Sequence, residues 1–111
     1  MSINEWSDAT AMTEAVQNKT VSPRELVEAT IREAERTNPK INAIVSQRYE
    51  KAIEEAETRD FSEKPFAGIP IFLKDLGQEQ AGEPSTAGSR LFTSYHATET
   101  DNYVKKFEEL G

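Results

Sequence analysis

The stretch Pro65-Phe66-Ala67-Gly68-Ile69-Pro70-Ile71-Phe72-Leu73-Lys74-Asp75 constrains this chain most, because it is the most apolar segment in an otherwise polar sequence. In a strand, Ile69, Ile71 and Leu73 would share one face, and Pro70, Phe72 and Lys74 the other. Both faces are apolar until the end, which predicts a buried strand over 69–74 rather than a half-solvated one. Pro70 falls near its start, where no ladder donor is needed. Lys74 would then leave a buried strand at its C-terminal end, where open α/β sheets place their ligands. A desolvated lysine there favours its neutral, basic form. A Lys-Asp pair at a strand end is also where a chain commonly returns to water.

The rest of the chain reads as helices and one loop. Ser7 is placed to cap a helix over 8–18, flanked by Trp6, with Ala9, Met12, Ala15 and Val16 as its apolar stripe. Ser22 caps a second helix over 23–37, with Pro23 as its first residue and Glu25 closing a capping box. Leu26, Val27, Thr30, Ile31 and Ala34 recur there at helical spacing, and Asn38-Pro39 is expected to end it. Ile41 to Ser46 suits an extended turn or a brief strand. A third helix over 48–59 would turn Tyr49, Ala52, Ile53 and Ala56 inward and Glu54, Glu55 and Glu57 to water. Gly77 to Ser89 is rich in Gly, Ser, Pro and Gln and reads as an irregular loop. Thr98 or Thr100 would cap a last helix over 101–110, with Tyr103, Val104, Phe107 and Leu110 on its apolar face. One strand cannot satisfy its own backbone groups. Either the fold is mostly helical, or the chain is the front of a larger one.

Composition narrows the function classes. With 36% hydrophobic and 30% charged residues in 111, only a modest core is available. Twenty acidic against 13 basic residues give a net charge of −7. That disfavours nucleic acid and anionic membrane surfaces as partners. The absence of cysteine removes disulfides and thiolate chemistry, and with one histidine it argues against a zinc site. No basic start with an apolar run precedes the first helix, and no stretch has the length of a membrane helix. A soluble, cytoplasmic protein is the expectation.

Several polar residues compete with Lys74 as site candidates. Asp75 would point to the opposite strand face. It either orients nearby loop backbone or ends the strand as a carboxylate with local hydrogen bonds. Ser85, Thr86 and Ser89 are either nucleophiles, which need a base and an oxyanion site, or loop hydroxyls making local turns. Gly77 and Gly82 have the spacing of a phosphate loop, but Glu83-Pro84 follows where Lys-Ser/Thr is required. Asn18-Lys19-Thr20 matches a glycosylation acceptor without a secretion signal. His96 reads as an exposed loop histidine, and the acidic third helix as a solvated face.

Gly68-Ile69-Pro70-x-x-x-Lys74-Asp75, followed by Ser85-Thr86-Ala87-Gly88-Ser89, resembles the first block of the amidase signature family. Ser22-Pro23-Arg24-Glu25-Leu26 and Asn38-Pro39-Lys40-Ile41-Asn42-Ala43 also resemble its N-terminus, so the similarity runs through nearly the whole chain. The resemblance implies an α/β fold: N-terminal helices plus the first core strand of a mixed sheet flanked by helices, incomplete in this chain. In the family the last helix leads into another core strand. The implied activity is hydrolysis of carboxamides by a Ser–cis-Ser–Lys triad, with Lys74 matching the lysine. The two serines belong to a Gly/Ser-rich segment that this sequence does not contain. Ser85, Thr86 and Ser89 are assigned to a structural loop beside the site. No metal or organic cofactor is implied. The implied partners are a small-molecule amide and the remainder of the enzyme chain, and a homo-oligomer is compatible with both. Leu76-Gly77 follows Asp75 where many members carry Asn, which leaves that position without a role. Lys-Asp-Leu resembles a subgroup acting on aminohexanoate-type cyclic amides. Two other readings remain open: the glutaminase-type subunit of a transamidation complex, which shares the block, and a small acidic helical binding module without catalysis.

Overall fold

The structure, a computed structural model, describes residues 7–111. It contains four α-helices: α1 (Ala9–Gln17), α2 (Pro23–Ile41), α3 (Tyr49–Thr58) and α4 (Asn102–Leu110). A short 3-10 helix, Arg90–Phe92, precedes α4. The chain divides into two compact units, one of residues 1–70 with 110–111 and one of residues 71–109.

In the first unit, α1 is capped by Asp8, whose Oδ1 accepts from the Ala11 N–H at 2.8 Å. The cap expected at Ser7 is therefore one residue too early, and Trp6 lies outside the described residues. The buried positions of α1 are Thr13 and Ala15, while Ala9 is exposed. Thr13 tolerates burial because its hydroxyl donates to the Ala9 carbonyl at 2.7 Å, so no polar atom is left unpaired.

At the start of α2, the Ser22 hydroxyl accepts from the Glu25 N–H at 3.1 Å and Glu25 Oε2 accepts from the Ser22 N–H at 2.7 Å. This reciprocal pair satisfies two of the free donors that a helix start exposes. Leu26, Val27 and Ala34 are the buried face, with Leu26 only 2% exposed. Burying a leucine side chain this fully contributes about 1.5–3 kcal/mol. Pro39 does not end α2, which continues to Ile41. A proline removes one helical N–H and crowds the carbonyl four residues back, which belongs here to the exposed residue Glu35, and α2 runs two residues past Pro39. The helix stops instead at Asn42, which takes the left-handed conformation at φ 49 and donates its N–H to the Asn38 carbonyl at 2.7 Å. Asn38 Oδ1 then accepts from the Ala43 and Ile44 N–H groups at 2.8 and 2.9 Å, so no strand forms over 41–46.

The third helix packs on α2. Its acidic side is not all solvated as expected. Arg48 holds both carboxylate oxygens of Glu55, at 2.6 and 3.2 Å, and Arg24 of α2 reaches Glu57. Within the same unit, the Phe66 N–H donates to the Leu110 carbonyl at 2.9 Å. Phe66 to Ile69 turn back on themselves, the Ile69 N–H donating to the Phe66 carbonyl at 3.2 Å. Gly68 sits in that turn at φ +76 against the Pro23 ring.

The buried strand over 69–74, and with it the mixed sheet, is absent from the described residues. Their sole β pairing is an isolated antiparallel bridge between Pro84 and His96. The physical reason is the pairing requirement: an extended segment becomes a strand only beside another backbone that takes its N–H and C=O groups. Among the described residues, 71–74 have no such neighbour, and Ile71 and Phe72 are 51% and 56% exposed.

Candidate functional site

The second unit carries Lys74, Asp75 and the loop that follows. Lys74 ends an extended run, and Asp75 to Gly77 form a bend, with Gly77 at φ +70. The Lys74 N–H donates to Gln78 Oε1 at 2.8 Å, closing that bend from the side-chain end. Contrary to the burial expected of it, Lys74 is exposed, as are Ile71 and Phe72 before it, while Leu73 is half-buried.

Asp75 is half-buried and points its carboxylate across the bend. Oδ1 accepts from the Thr86 N–H at 2.8 Å, and Oδ2 accepts from the Thr86 hydroxyl. Ionised carboxylates make stronger hydrogen bonds than neutral acceptors. The Thr86 hydroxyl, then the Thr86 N–H, hold the Asp75 carboxyl below its usual range, and the Gly88 N–H adds a little in the same direction. Partial burial opposes them and is outweighed. Among the described residues no ion pair joins Asp75 to Lys74.

Thr86 is presented to Asp75 by a tight turn. The Ser89 N–H donates to the Thr86 carbonyl at 2.9 Å, and the central residues Ala87 and Gly88 have φ of 51 and 70. Two positive φ values between bonded ends are the pattern of a type I′ turn, which glycine enters freely and alanine does not. Ser89 Oγ accepts from the Leu91 N–H at 3.2 Å and so caps the 3-10 helix. Ser85 donates its N–H to the Tyr95 carbonyl. The hydroxyls of Thr86 and Ser89 therefore serve the loop's own architecture, and Ser85 joins it through its backbone. The Ala97 N–H donates to the Glu83 carbonyl and the Gly82 N–H to the Ala97 carbonyl, at 3.0 and 2.8 Å, so the loop is irregular yet cross-linked. His96 lies exposed on its bridge to Pro84, with Nδ1 at 3.3 Å from the Ser94 carbonyl.

A shallow pocket of about 180 Å3 opens beside this turn, walled by Leu76, Ala87, Phe92 and Tyr95, with Ser85 and Glu79 at its polar edge. Further along, the Glu79 N–H donates to Asp101 Oδ2 at 2.8 Å and the Asp101 N–H donates to the Glu79 carbonyl at 2.9 Å. Asp101 also offers its carbonyl to the Lys105 N–H, the position expected for Thr98 or Thr100 at the start of α4. The Thr100 hydroxyl is instead taken by the Ala81 N–H at 3.0 Å. The sequence carries no signal that singles out Gln78 or Asp101, since a side-chain amide and an aspartate before a helix are common loop residues.

Among the described residues, no group of three or more His, Cys, Asp or Glu side chains is placed to hold a metal ion. No helix among them is long and apolar enough to cross a membrane.

A family model described as Amidase matches residues 25–111. The chain is 36% identical over 108 residues to the 6-aminohexanoate-cyclic-dimer hydrolase of Pseudomonas sp. (strain NK87), covering 96% of this chain and 21% of that protein. It is 35% identical over 109 residues to the lipoamidase of Enterococcus faecalis, covering 96% of this chain and 15% of that one. In three dimensions it is similar to a solved 6-aminohexanoate cyclic dimer hydrolase complexed with substrate. The TM-score is 0.89 at 35% identity, over 98% of this chain and 22% of that chain. The chain thus spans about a fifth, or less, of the length of the relatives it matches.

Proposed function

The chain belongs to the amidase family, and from that premise we propose that it is the N-terminal portion of a hydrolase that cleaves carboxamide C–N bonds. One observation carries the reading: the Asp75 carboxylate grips Thr86, tying the Lys74-Asp75 block to the Ser85–Ser89 block. These are the two motifs in which the resemblance to the family is densest. In the scheme this implies, neutral Lys74 accepts a proton from a cis-serine of the remaining chain. That serine relays one from a nucleophilic serine, which attacks the amide carbonyl. The proton returns along the same relay to the nitrogen as the C–N bond breaks and the amine leaves, and water then releases the acid from the acyl-enzyme.

Lys74 acts as a base only if its amine is stripped of water, since a free lysine has a pKa of about 10.4. We assign that cover to the remainder of the chain, which would also pair residues 69–74 into the family's mixed sheet. The exposed side chains of Ile71 and Phe72 fit this assignment. They fit a self-contained acidic binding module poorly, because such a module needs its apolar residues closed into its own core. One relative is named for a cyclic dimer of 6-aminohexanoate, so aliphatic carboxamides are the first substrate class to test.

In the full-length enzyme, Lys74→Ala and Lys74→Arg should each lower amide hydrolysis by about 10³-fold or more, because arginine cannot deprotonate and alanine has no amine. Steady-state kinetics on folded variants measure this. Substantial activity in Lys74→Arg would return Lys74 to the role of a surface charge.

A further inference from the structure

We propose that Asp75 and Gln78 form a two-point mount for Lys74, with Asp75 acting as a positioning residue for amide hydrolysis through its grip on Thr86. The inference rests on the reading of Lys74 as the base.

A lysine amine hangs on a four-carbon stem, so local structure governs only where its backbone is placed and which way it leaves. The mount addresses that placement from both sides. On one side, Gln78 Oε1 accepts from the Lys74 N–H itself at 2.8 Å. On the other, the next residue, Asp75, is held through both carboxylate oxygens to the backbone and hydroxyl of Thr86.

Each anchor is itself anchored. Gln78 is followed by Glu79, whose N–H and carbonyl both bond Asp101 at the start of α4. Thr86 opens the turn closed by the Ser89 N–H at 2.9 Å. The chemistry of Asp75 suits a positioning task and not proton transfer. Its carboxyl is held in the ionised form by Thr86, so it has no proton to give. Its two oxygens are engaged by Thr86, and it makes no ion pair with the adjacent amine. An ion pair there would favour the charged lysine and oppose its use as a base.

The test uses the full-length enzyme with hexanamide as substrate. Asp75→Ala and Thr86→Val should each lower kcat by roughly 10²-fold, the scale of an ångström-level misplacement, with KM little changed. Gln78→Ala should lower kcat by a smaller factor, and Gln78→Glu, which keeps an acceptor oxygen, should retain most of the rate. Thr86→Ser should also retain most of it, because both donors to Asp75 survive. The double variant Asp75→Ala/Thr86→Val should be no slower than Asp75→Ala alone, since Thr86→Val removes one of the two bonds that Asp75→Ala removes. Melting temperatures of each variant separate lost stability from lost rate; if Asp75→Ala does not fold, Thr86→Val and Gln78→Ala still decide. If Lys74→Ala is inactive while Asp75→Ala, Thr86→Val and Gln78→Ala keep the wild-type kcat, the mount is wrong and the base reading stands. Additive losses in the double variant, or losses that appear in KM alone, overturn the mount as well. If Lys74→Ala itself keeps its activity, the base reading fails and the mount falls with it.

Discussion

At the residue scale, Asp75 links charge to stability. Its carboxyl is held below the usual range, chiefly by the Thr86 hydroxyl and then by the Thr86 N–H. A depressed folded-state pKa contributes stability that is fully present above the unfolded value, about 3.9 for an aspartate, and is lost as pH falls through the folded one. The melting temperature of wild type should therefore exceed that of Asp75→Asn at neutral pH. The difference should shrink once the pH passes below the ordinary aspartate range. A gap unchanged across that range, by calorimetry or circular dichroism, would show that the carboxylate charge is immaterial. The Lys74-Asp75 pair was legible in the sequence because two charged residues end an apolar run. The partner of Asp75 was not, because Thr86 lies eleven residues on, at the head of a turn with Ala87 at positive φ. Alanine gives no signal for that conformation.

At the element scale, α2 shows which helix signals can be read and which cannot. Its start is written in residue types, since Ser22, Pro23 and Glu25 have no better joint use than a capped first turn. Ser22→Ala should cost about 1 kcal/mol of stability, measured by urea unfolding at unchanged m-value. Its end is not legible at Pro39, because a proline only biases the residue before it away from the helical region, and Asn38 stays helical here. The same helix start is pressed by Gly68. A Cβ built there would lie 2.6 Å from two carbons of the Pro23 ring, and the backbone φ is +76. Since the ring cannot swing aside, Gly68→Ala should destabilise by more than the roughly 1–2 kcal/mol of the left-handed backbone alone. A smaller loss in the same urea experiment would mean that the turn at Phe66–Ile69 relaxes away from α2.

At the scale of the whole molecule, the helices were legible, whereas the strand expected over 69–74 does not form among the described residues. Helices bond within themselves, so local periodicity suffices, whereas a strand is a property of two segments and the second is not among residues 71–109. Alongside Ile71 and Phe72, Leu91 is 83% exposed. Residues 1–111 produced alone should therefore self-associate, and Leu91→Asp with Phe72→Asp should reduce this in sedimentation velocity. A strictly monomeric wild-type chain with a sharp two-state melt would contradict it. The same chain should hydrolyse amides no faster than its Lys74→Ala variant, because it carries a proposed base without a matching nucleophile. The grip of Asp75 on Thr86 also has a kinetic side. It spans eleven residues, and loops of about ten close in about 10–100 ns, whereas a ribosome adds only about 5–20 residues each second. Translation thus leaves ample time for the bend around Lys74 to be drawn before any distant segment arrives to cover it. Nascent chains arrested after Thr86 has left the exit tunnel should protect the Thr86 amide from exchange in wild type and leave it open in Asp75→Ala; equal exchange in both would show that the bend waits for the rest of the protein.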